Sequence, residues 1–415
     1  MKNQKFSLLF LTGLLSVGLL GACGIPEADT ADKTEAIVDS AEPASESWTI
    51  MDANAAMATG LLSSSETDQS ENVSSTTEEI EGSLPKTLPD NTETASASDS
   101  TISVTITAVG DCTIGSGNVA TGSGSYNSYY DKYGYEYFLA NVRDIFEADD
   151  FTIANLECVL TTSNSARNQK YLHKADPEHV QILTSSSVEA VSLGNNHNAD
   201  YGAGSTQDTK DTLDAAGIKW ALNDELGYYT TDSGITIGFV SVNMINWTDK
   251  NIAYLMDGVK ELKSSADLVL ACVHWGKQDQ DEVLDKQVDL AHDLIDAGAD
   301  LIIGNHAHRS HGIEYYNGKV ICYALGNFTY GGSKNPKSKD CIIYQQKFTF
   351  TDGELQNDTQ AWIIPAKITS SGNNNFQPTP CTEDQLEAYY TRLNGLCENV
   401  GSVYFENDGV LRLRD

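Results

Sequence analysis

Basic residues are scarce in this 415-residue sequence, which has 26 lysines and arginines against 59 aspartates and glutamates, for a formal net charge of −33. So large a negative excess repels phosphate backbones and anionic lipids, which argues against nucleic acid and anionic lipid as general partners. An anionic substrate would have to be held by a local positive centre, and a cluster of metal ions is one such centre.

Three signatures of common functional sites are also missing. The eight cysteines form no C-x-x-C pair, which argues against a zinc ribbon and a thioredoxin-type redox site. The sequence contains no G-x-x-x-x-G-K-[ST] phosphate loop and no G-x-S-x-G nucleophile elbow. Buried free thiols are therefore the default interpretation of the cysteines. Cys381 and Cys397 are the pair to test for a disulfide, because an exported location permits one.

Residues 1–23 are typical of an export signal. Two lysines precede an apolar stretch from Phe6 to Leu20, shorter than the roughly 20 apolar residues that a transmembrane helix needs. The following Leu20-Gly21-Ala22-Cys23 looks like a lipobox, in which cleavage leaves Cys23 as a lipid-modified N-terminus. This pattern predicts an extracytoplasmic protein anchored to the cell membrane, with a simple secretory peptide or a membrane anchor as alternatives.

Residues 24–100 are rich in serine, threonine, alanine and acidic residues. Low hydrophobicity combined with high net charge predicts a disordered tether. As a flexible coil it would reach about 50 Å, enough to lift a domain off a membrane surface. We expect one large domain over residues 101–375, followed by a helix and strand cap over residues 376–415.

Beyond Thr101, short apolar runs alternate with amphipathic segments. The predicted strands are 102–109, 151–156, 188–194, 235–242, 268–274, 300–303, 320–325 and 341–350. The predicted helices are 134–148, 177–187, 205–216, 255–264, 281–297 and 382–396. Most of the strands are apolar on consecutive positions, as expected when both faces of a sheet are covered. The alternation predicts an α/β fold.

Five short polar motifs each follow one of the apolar runs. They are Gly110-Asp111, Asn155-Leu156-Glu157, Gly194-Asn195-Asn196-His197, His274-Trp275-Gly276 and Gly304-Asn305-His306-Ala307-His308. Folds of the α/β class place ligand sites just beyond the carboxyl ends of their strands. Carboxylate, amide and imidazole groups are the ligands that a pair of divalent metals would require.

Each of these residues also has a purely structural interpretation. His306 and His308 stand two apart on a segment expected to be extended, so both rings would leave the same face, yet isolated histidines are usually structural. Asp111 could cap a turn, Glu157 could pair with a surface lysine, and Asn196 could adopt a turn conformation. Their occurrence together at one sheet edge favours a metal site, because burying both carboxylates without a cation would be costly.

The motifs in combination resemble a known family. GDCTIG, NLECVLT, LGNNHNADYG, HWG, GNHAHRSHGIE and YALGNF, in this order, are similar to the capsule-synthesis CapA (poly-γ-glutamate synthesis) family, within the calcineurin-like metallophosphoesterase superfamily. The resemblance covers about Ser103 to Phe328. It implies a four-layer α/β/β/α sandwich with two divalent metal ions, manganese, iron or zinc, at one edge.

The resemblance also implies a role for each site residue. Asp111 would bind the first metal, Glu157 would bridge, Asn196 and His274 would bind the second metal, and His306 and His308 would complete the two spheres. His197 would be a general acid or substrate clamp oriented by Asp200, and Lys174 an anion contact. One departure weakens the first metal site, because Asp111-Cys112-Thr113 replaces the Asp-x-His motif of typical metallophosphoesterases.

Three functions are compatible with these features. The favoured one is a surface-anchored CapA-type protein that makes, anchors or trims an anionic envelope polymer such as poly-γ-glutamate, together with capsule-synthesis membrane proteins. The second is an extracytoplasmic metal-dependent phosphoesterase acting on nucleotides or envelope polymers. The third is a polymer-binding module that kept the fold and lost the chemistry.

Overall fold

The computed structural model describes residues 101–414. The predicted signal peptide with Cys23 and the predicted tether lie outside the described residues. Within residues 101–414, no helix combines the length and the apolar character needed to cross a membrane.

Strands and helices alternate along most of the described chain, so the predicted α/β class is confirmed. The strands are β1 (Thr101–Thr113), β2 (Ser116–Gly117), β3 (Phe151–Leu156), β4 (Val159–Leu160), β5 (His173–Ala175), β6 (Ala190–Ser192), β7 (Lys219–Ala221), β8 (Gly227–Thr230), β9 (Thr236–Asn243), β10 (Leu268–His274), β11 (Leu301–Asn305), β12 (Ile313–Tyr316), β13 (Lys319–Cys322), β14 (Asn327–Tyr330), β15 (Asp340–Thr351), β16 (Glu354–Leu355), β17 (Gln360–Lys367), β18 (Thr379–Pro380), β19 (Val403–Phe405) and β20 (Leu411–Leu413). The helices are α1 (Tyr126–Tyr133), α2 (Arg143–Phe146), α3 (Gln181–Thr184), α4 (Ala203–Ala216), α5 (Asp249–Ser265), α6 (Asp285–Ala297) and α7 (Glu383–Glu398).

Two large sheets organise these strands. The larger has nine strands in the order β18-β17-β15-β1-β3-β6-β7, with β14 beside β1 and β16 beside β15. Its β1, β3, β6 and β7 run parallel, whereas β15 pairs antiparallel with both β1 and β17. The smaller has six strands in the order β12-β13-β11-β10-β9-β8, with a parallel centre and antiparallel edges. The parallel strands of each sheet therefore end at one edge.

The strands of both sheets bury their two faces in different hydrophobic clusters. In β3, Phe151 and Ile153 belong to a cluster that contains residues of both sheets, whereas Ala154 and Leu156 belong to a cluster with residues of α2, α3 and α4. A third cluster joins the smaller sheet to α5 and α6. Alternate residues of a strand point to opposite faces, which explains why the runs are apolar at consecutive positions.

The helix predicted over 134–148 is wrong. Ser125 instead caps an earlier helix, α1, by accepting a hydrogen bond from the Ser128 backbone N–H. Gly134 ends that helix at a φ of 78°, which glycine adopts readily. Only a 3-10 turn and the short α2 follow. The helix predicted over 177–187 is also shorter in the structure, where a 3-10 turn is followed by α3.

The C-terminal residues pack on the same core as the sheets. The predicted helix over 382–396 is found as α7, followed by the β19–β20 hairpin. Tyr389, Leu393 and Phe405 from these elements belong to the cluster that contains residues of both sheets. Cys381 and Cys397 are both free thiols in this structure.

Candidate metal centre

The six predicted ligands lie where the carboxyl ends of parallel strands from the two sheets meet. Asp111 lies within β1, His274 ends β10, and Glu157 directly follows β3. The other three follow β6 and β11. Gly194 permits this approach of the sheets, since a Cβ atom there would lie 2.4 Å from the Ser241 backbone. The two sheets thus converge on one cluster of polar side chains.

Asp111, Glu157 and His308 form the first group of candidate ligands, with one ligand atom from each within 4.8 Å of the others. Nδ1 of His308 lies 2.9 Å from Oδ2 of Asp111 and 3.7 Å from Oε2 of Glu157. None of these three atoms has a partner in hydrogen-bond geometry, although the shorter distance would allow one. In the metal-free protein a proton on His308 compensates these carboxylates. When that proton is lost, all three atoms can direct lone pairs at one shared cation.

Glu157, His274 and His306 form the second group, and Asn196 adjoins it. Nε2 of His274 lies 2.8 Å from Oδ1 of Asn196, 3.1 Å from Nδ1 of His306 and 3.5 Å from Oε1 of Glu157. One imidazole nitrogen carries at most one hydrogen, so it cannot satisfy three neighbours by donation. Glu157 offers one oxygen to each group and is placed between them.

These residues fit divalent cations. Asp111 and Glu157 are both 0% exposed, and three of their four carboxylate oxygens receive no hydrogen bond. An uncompensated buried charge costs on the order of several kcal/mol, so a pair of such carboxylates requires nearby positive charge. The surrounding imidazoles and amide complete the ligand types that bind manganese, iron or zinc.

Burial sets the protonation of the histidines in the second group. It lowers the pKa of His274 to about 3 and that of His306 to about 2, which leaves both rings neutral and able to bind a metal. Burial also raises the pKa of Glu157 to about 8, opposed by His308 and reinforced by Asp111. At His308 the effect of burial is outweighed by the charges of Glu157 and Asp111, which raise the pKa to about 9.

His306 and His308 do not lie on an extended segment, contrary to the sequence-based expectation. β11 ends at Asn305, and the two histidines occupy the following loop with φ values of 90° and 55°. Residues other than glycine adopt such values at a cost of about 1–3 kcal/mol. The ring centroids are 6.0 Å apart. The loop conformation, rather than strand alternation, brings the two imidazoles to the same centre.

Asn155 is a site residue to which the sequence assigned no role. Its Nδ2 donates to Oδ1 of Asp111 at 2.7 Å, which leaves Oδ2 of Asp111 directed at the first group. Ser192 and Asn195 in turn donate to Oδ1 of Asn155. The signal was available in the Asn155-Leu156-Glu157 motif, because residues two apart at the end of a strand can reach the same site.

His197 and Asp200 lie together beside the metal groups. Nδ1 of His197 is 2.7 Å from Oδ2 of Asp200, and because a carboxylate only accepts, the proton belongs to Nδ1. His173 stacks on His197 with centroids 3.8 Å apart, and its backbone N–H donates to the same Asp200 oxygen. Nδ1 of His173 forms a hydrogen bond with the Glu157 carbonyl oxygen. His173 does not follow a predicted strand and was assigned no role from the sequence.

A cavity of about 690 Å³ opens over His197, His306 and His308. Three lysines contribute to its lining: Lys170, Lys334 and Lys337. Asp279 is the one acidic residue among the lining residues of the described chain, and it pairs with Lys337 at 2.8 Å. In a chain with a net charge of −33, this concentration of lysine favours an anionic ligand.

Lys174 lies outside that lining. Its Nζ donates to the Ser163 carbonyl at 2.9 Å and to Oδ1 of Asn164 at 3.1 Å, and it lies over the Tyr201 ring. Lys174 and His173 are neighbours on β5, so their side chains leave opposite faces of the strand. The histidine, and not the lysine, therefore faces the cavity.

Residues 105–331 match the family described as bacterial capsule synthesis protein PGA_cap, more than half of the chain. The chain belongs to this family. CapA proteins are among its relatives, and the family lies within the metallophosphoesterase-like superfamily. The PGA biosynthesis protein CapA of Bacillus subtilis (strain 168) is 33% identical over 46% of this chain and 55% of its own length.

Two further relatives of this CapA-family chain are more distant. The capsule biosynthesis protein CapA of Bacillus anthracis is 27% identical over 52% of this chain and 58% of its own length. A probable polyglutamine synthesis accessory protein of Mycobacterium tuberculosis (strain CDC 1551 / Oshkosh) is 25% identical over 54% of this chain and 67% of its own length. The chain thus spans little more than half the length of the two Bacillus relatives.

Thr113 occupies the position where typical metallophosphoesterases carry an imidazole two residues after the aspartate. In this CapA-family chain its Oγ1 donates to the Glu157 carbonyl at 3.2 Å. A threonine hydroxyl is a weaker metal ligand than imidazole, so this side chain orients the Glu157 backbone and adds no nitrogen to the first group. The first group therefore has three candidate ligands, against four in the second group once Asn196 is included.

Proposed function

We propose that this protein is an exported, lipid-anchored CapA-type hydrolase that trims or anchors an anionic envelope polymer such as poly-γ-glutamate, at a dinuclear metal centre. The observation that carries the proposal is Glu157, which is fully buried, has no hydrogen-bond donor on either oxygen, and offers one oxygen to each ligand group. Family membership supports the polymer class. The relatives are named for PGA biosynthesis, capsule biosynthesis and polyglutamine synthesis.

In this proposal, Asp111, Glu157 and His308 hold one cation, and His274, His306 and Asn196 hold the other with Glu157. When bound, such a pair of divalent cations supplies Lewis acidity towards a phosphoryl or carbonyl group. His197 would act as general acid in its doubly protonated form: Asp200 accepts the Nδ1–H hydrogen bond and stabilises the imidazolium, and Nε2 donates its proton to the leaving group, which leaves the ring neutral. The cavity lysines hold carboxylates or phosphates of the polymer beside that centre.

Two further parts of the proposal concern architecture and location. The three hydrophobic clusters support a four-layer α/β/β/α sandwich, since one contains residues of both sheets and each of the others joins one sheet to helices. The Leu20-Gly21-Ala22-Cys23 sequence supports lipid attachment at Cys23. Mass spectrometry of the N-terminal peptide from membranes tests the latter, with an unmodified Cys23 as the contradicting result.

The polymer activity is tested with the full-length protein, Mn²⁺ and purified poly-γ-glutamate, with chain length followed by light scattering. Wild-type protein is expected to shorten the polymer. The Glu157→Gln and His197→Ala variants should do so at least 100-fold more slowly, in line with general acid–base contributions of about 10²–10⁴. His292→Ala is the matched control, because His292 also pairs with a carboxylate, Glu314 at 2.9 Å, but outside the cavity.

The remaining outcomes separate the alternatives. Turnover of phosphomonoesters or phosphodiesters, without shortening of poly-γ-glutamate, would assign a phosphoesterase, and the superfamily relationship is the observation that favours this second candidate. Binding of the polymer without any turnover in Mn²⁺, Fe²⁺ or Zn²⁺ would assign a binding module. Polymer shortening that survives in Glu157→Gln would remove the metal centre from the mechanism.

A further inference from the structure

The loop that carries His306 and His308 is held from outside by the C-terminal helix. Arg392, on α7, donates from Nη1 to Oγ of Ser310 at 2.9 Å and from Nη2 to the Ser310 carbonyl at 3.1 Å. Ser310 stands two residues after His308. One guanidinium therefore ties the helix to the end of the ligand loop.

Asp281 extends this contact to the loop after β10. It accepts two hydrogen bonds from Arg309, Nε to Oδ1 at 2.6 Å and Nη2 to Oδ2 at 2.9 Å. Oδ1 of Asp281 also accepts from Nη2 of Arg392 at 3.2 Å. Paired hydrogen bonds between guanidinium and carboxylate fix orientation as well as distance. The two arginines and one carboxylate thus link the loops after β10 and β11 to α7.

The ligand loop needs such support because of its backbone conformation. His306 and His308 have φ values of 90° and 55°, and residues other than glycine keep such values only where their surroundings hold them. The start of the loop is fixed by β11, and its end pairs with the chain near Leu325 through an isolated bridge at Ser310. Arg392 contacts that same end from a helix outside the family-matched residues 105–331.

We propose that Arg392 is a positioning residue for the metal centre, and that α7 sets cation affinity by holding the 306–310 loop in its ligand-presenting conformation. This inference rests on the proposed metal centre. Arg392 touches none of the six candidate ligands; its effect passes through Ser310 and through Asp281 to Arg309. Loss of Arg392 should therefore weaken metal binding by more than the accompanying loss of global stability accounts for.

The test is calorimetric titration of full-length, metal-stripped protein with Mn²⁺, alongside thermal unfolding of the same metal-free samples. Arg392→Met and Asp281→Asn are each expected to raise the Kd about tenfold, the lower end of the range for residues that support metal ligands. Arg412→Met is the matched control, because the Arg412 side chain is 29% exposed against 28% for Arg392 and pairs with Asp408 away from the loop. Its Kd should equal that of wild type, even where its unfolding temperature falls as far as that of Arg392→Met.

His308→Ala separates failure of this inference from failure of the metal centre. If His308→Ala abolishes Mn²⁺ binding while Arg392→Met and Asp281→Asn bind like wild type, the centre stands and the positioning role is refuted. If wild type binds no divalent cation, the proposed centre itself is refuted. Should Arg392→Met not fold, Asp281→Asn decides the question, because its side chain is 46% exposed and its replacement leaves no buried cavity.

Discussion

Glu157 is a fully buried carboxylate in which neither oxygen receives a hydrogen bond. A carboxylate with no exposed surface and no hydrogen-bond donor on either oxygen destabilises a fold unless a cation compensates it. Asp111, also fully buried, lies beside His308 at 2.9 Å and adds a second negative charge to the same site. Selection for function, rather than for stability, explains why such a pair persists at one point in the core.

Replacing Glu157 by glutamine should therefore change the stability of the protein in opposite directions with and without metal. In metal-free protein above pH 8, where Glu157 is ionised despite its raised pKa, Glu157→Gln is expected to raise the free energy of unfolding by about 1–3 kcal/mol, because it removes an unpaired buried charge. In saturating Mn²⁺ the variant should be less stable than wild type, because it has lost the shared ligand. Thermal unfolding of both proteins in EDTA and in Mn²⁺ measures this; a loss of stability in EDTA as well would contradict it.

At the scale of single residues, the sequence predicted which residues belong to the site better than it predicted their side-chain contacts. The six candidate ligands were identifiable because carboxylate, amide and imidazole groups follow apolar runs, and the structure brings all six together. Asn155 and His173 were not assigned roles, because their contacts to Asp111, His197 and Asp200 join segments that are far apart in the sequence. Lys174 could not be placed correctly, since the face it occupies depends on the register of β5.

At the scale of elements, glycines decide how closely the strands that carry the ligands approach one another. A Cβ atom on Gly110 would lie 1.9 Å from the Gly326 carbonyl oxygen. That oxygen accepts the backbone N–H of Asp111 at 2.9 Å, so the close approach also fixes the first candidate ligand. The backbone at Gly110 and Asp111 is thus held against Gly326 by a contact that only glycine at position 110 permits.

Gly110→Ala should displace the Asp111 backbone and destabilise the protein by about 1–3 kcal/mol or more, as expected for overpacking in a core. Gly204→Ala is the control, because a Cβ at Gly204 would meet no atom within 4 Å. That control should stabilise α4 by about 0.4–1 kcal/mol through reduced backbone entropy of the unfolded chain. Chemical denaturation of both variants measures the difference, and equal stability of the two would contradict this account.

The strands were predicted more accurately than the helices for a physical reason. Most strands are covered on both faces, so their sequences are uniformly apolar and bounded by polar motifs, and 268–274 is found as Leu268–His274. The segment 134–148 is helical only in a 3-10 turn and the short α2, and Gly134 acts as a helix end rather than lying within a helix. β17 was missed because it contains Pro365, which is rare inside a sheet.

At the scale of the whole molecule, the site exists because two sheets place the ends of their parallel strands at one point. The α/β class followed from the alternation of elements, but the packing of one sheet against the other depends on contacts between residues far apart in sequence, which periodicity does not report. The C-terminal residues take part in that packing. Tyr390, Cys397 and Val403 belong to the cluster that contains residues of both sheets.

A chain that ends at residue 375 should therefore fail to form a native core. Removal of residues 376–415 would uncover the apolar surface now buried by α7 and β19, at about 1.5–3 kcal/mol for each large side chain. We expect aggregation in size-exclusion chromatography and loss of the near-ultraviolet circular dichroism of the folded protein. A monodisperse truncated protein with an unchanged spectrum would instead establish these residues as a separable cap.

The most direct measurement of the central claim is an anomalous difference map from crystals of the full-length protein grown with Mn²⁺. The account predicts two peaks, one on each side of the Glu157 carboxylate and about 3.5–4 Å apart, with Asp111 and His308 at one and His274, His306 and Asn196 at the other. Crystals of Glu157→Gln should lose at least one of these peaks. A map without a peak at Glu157, or with Mn²⁺ only at other residues, would contradict the metal centre.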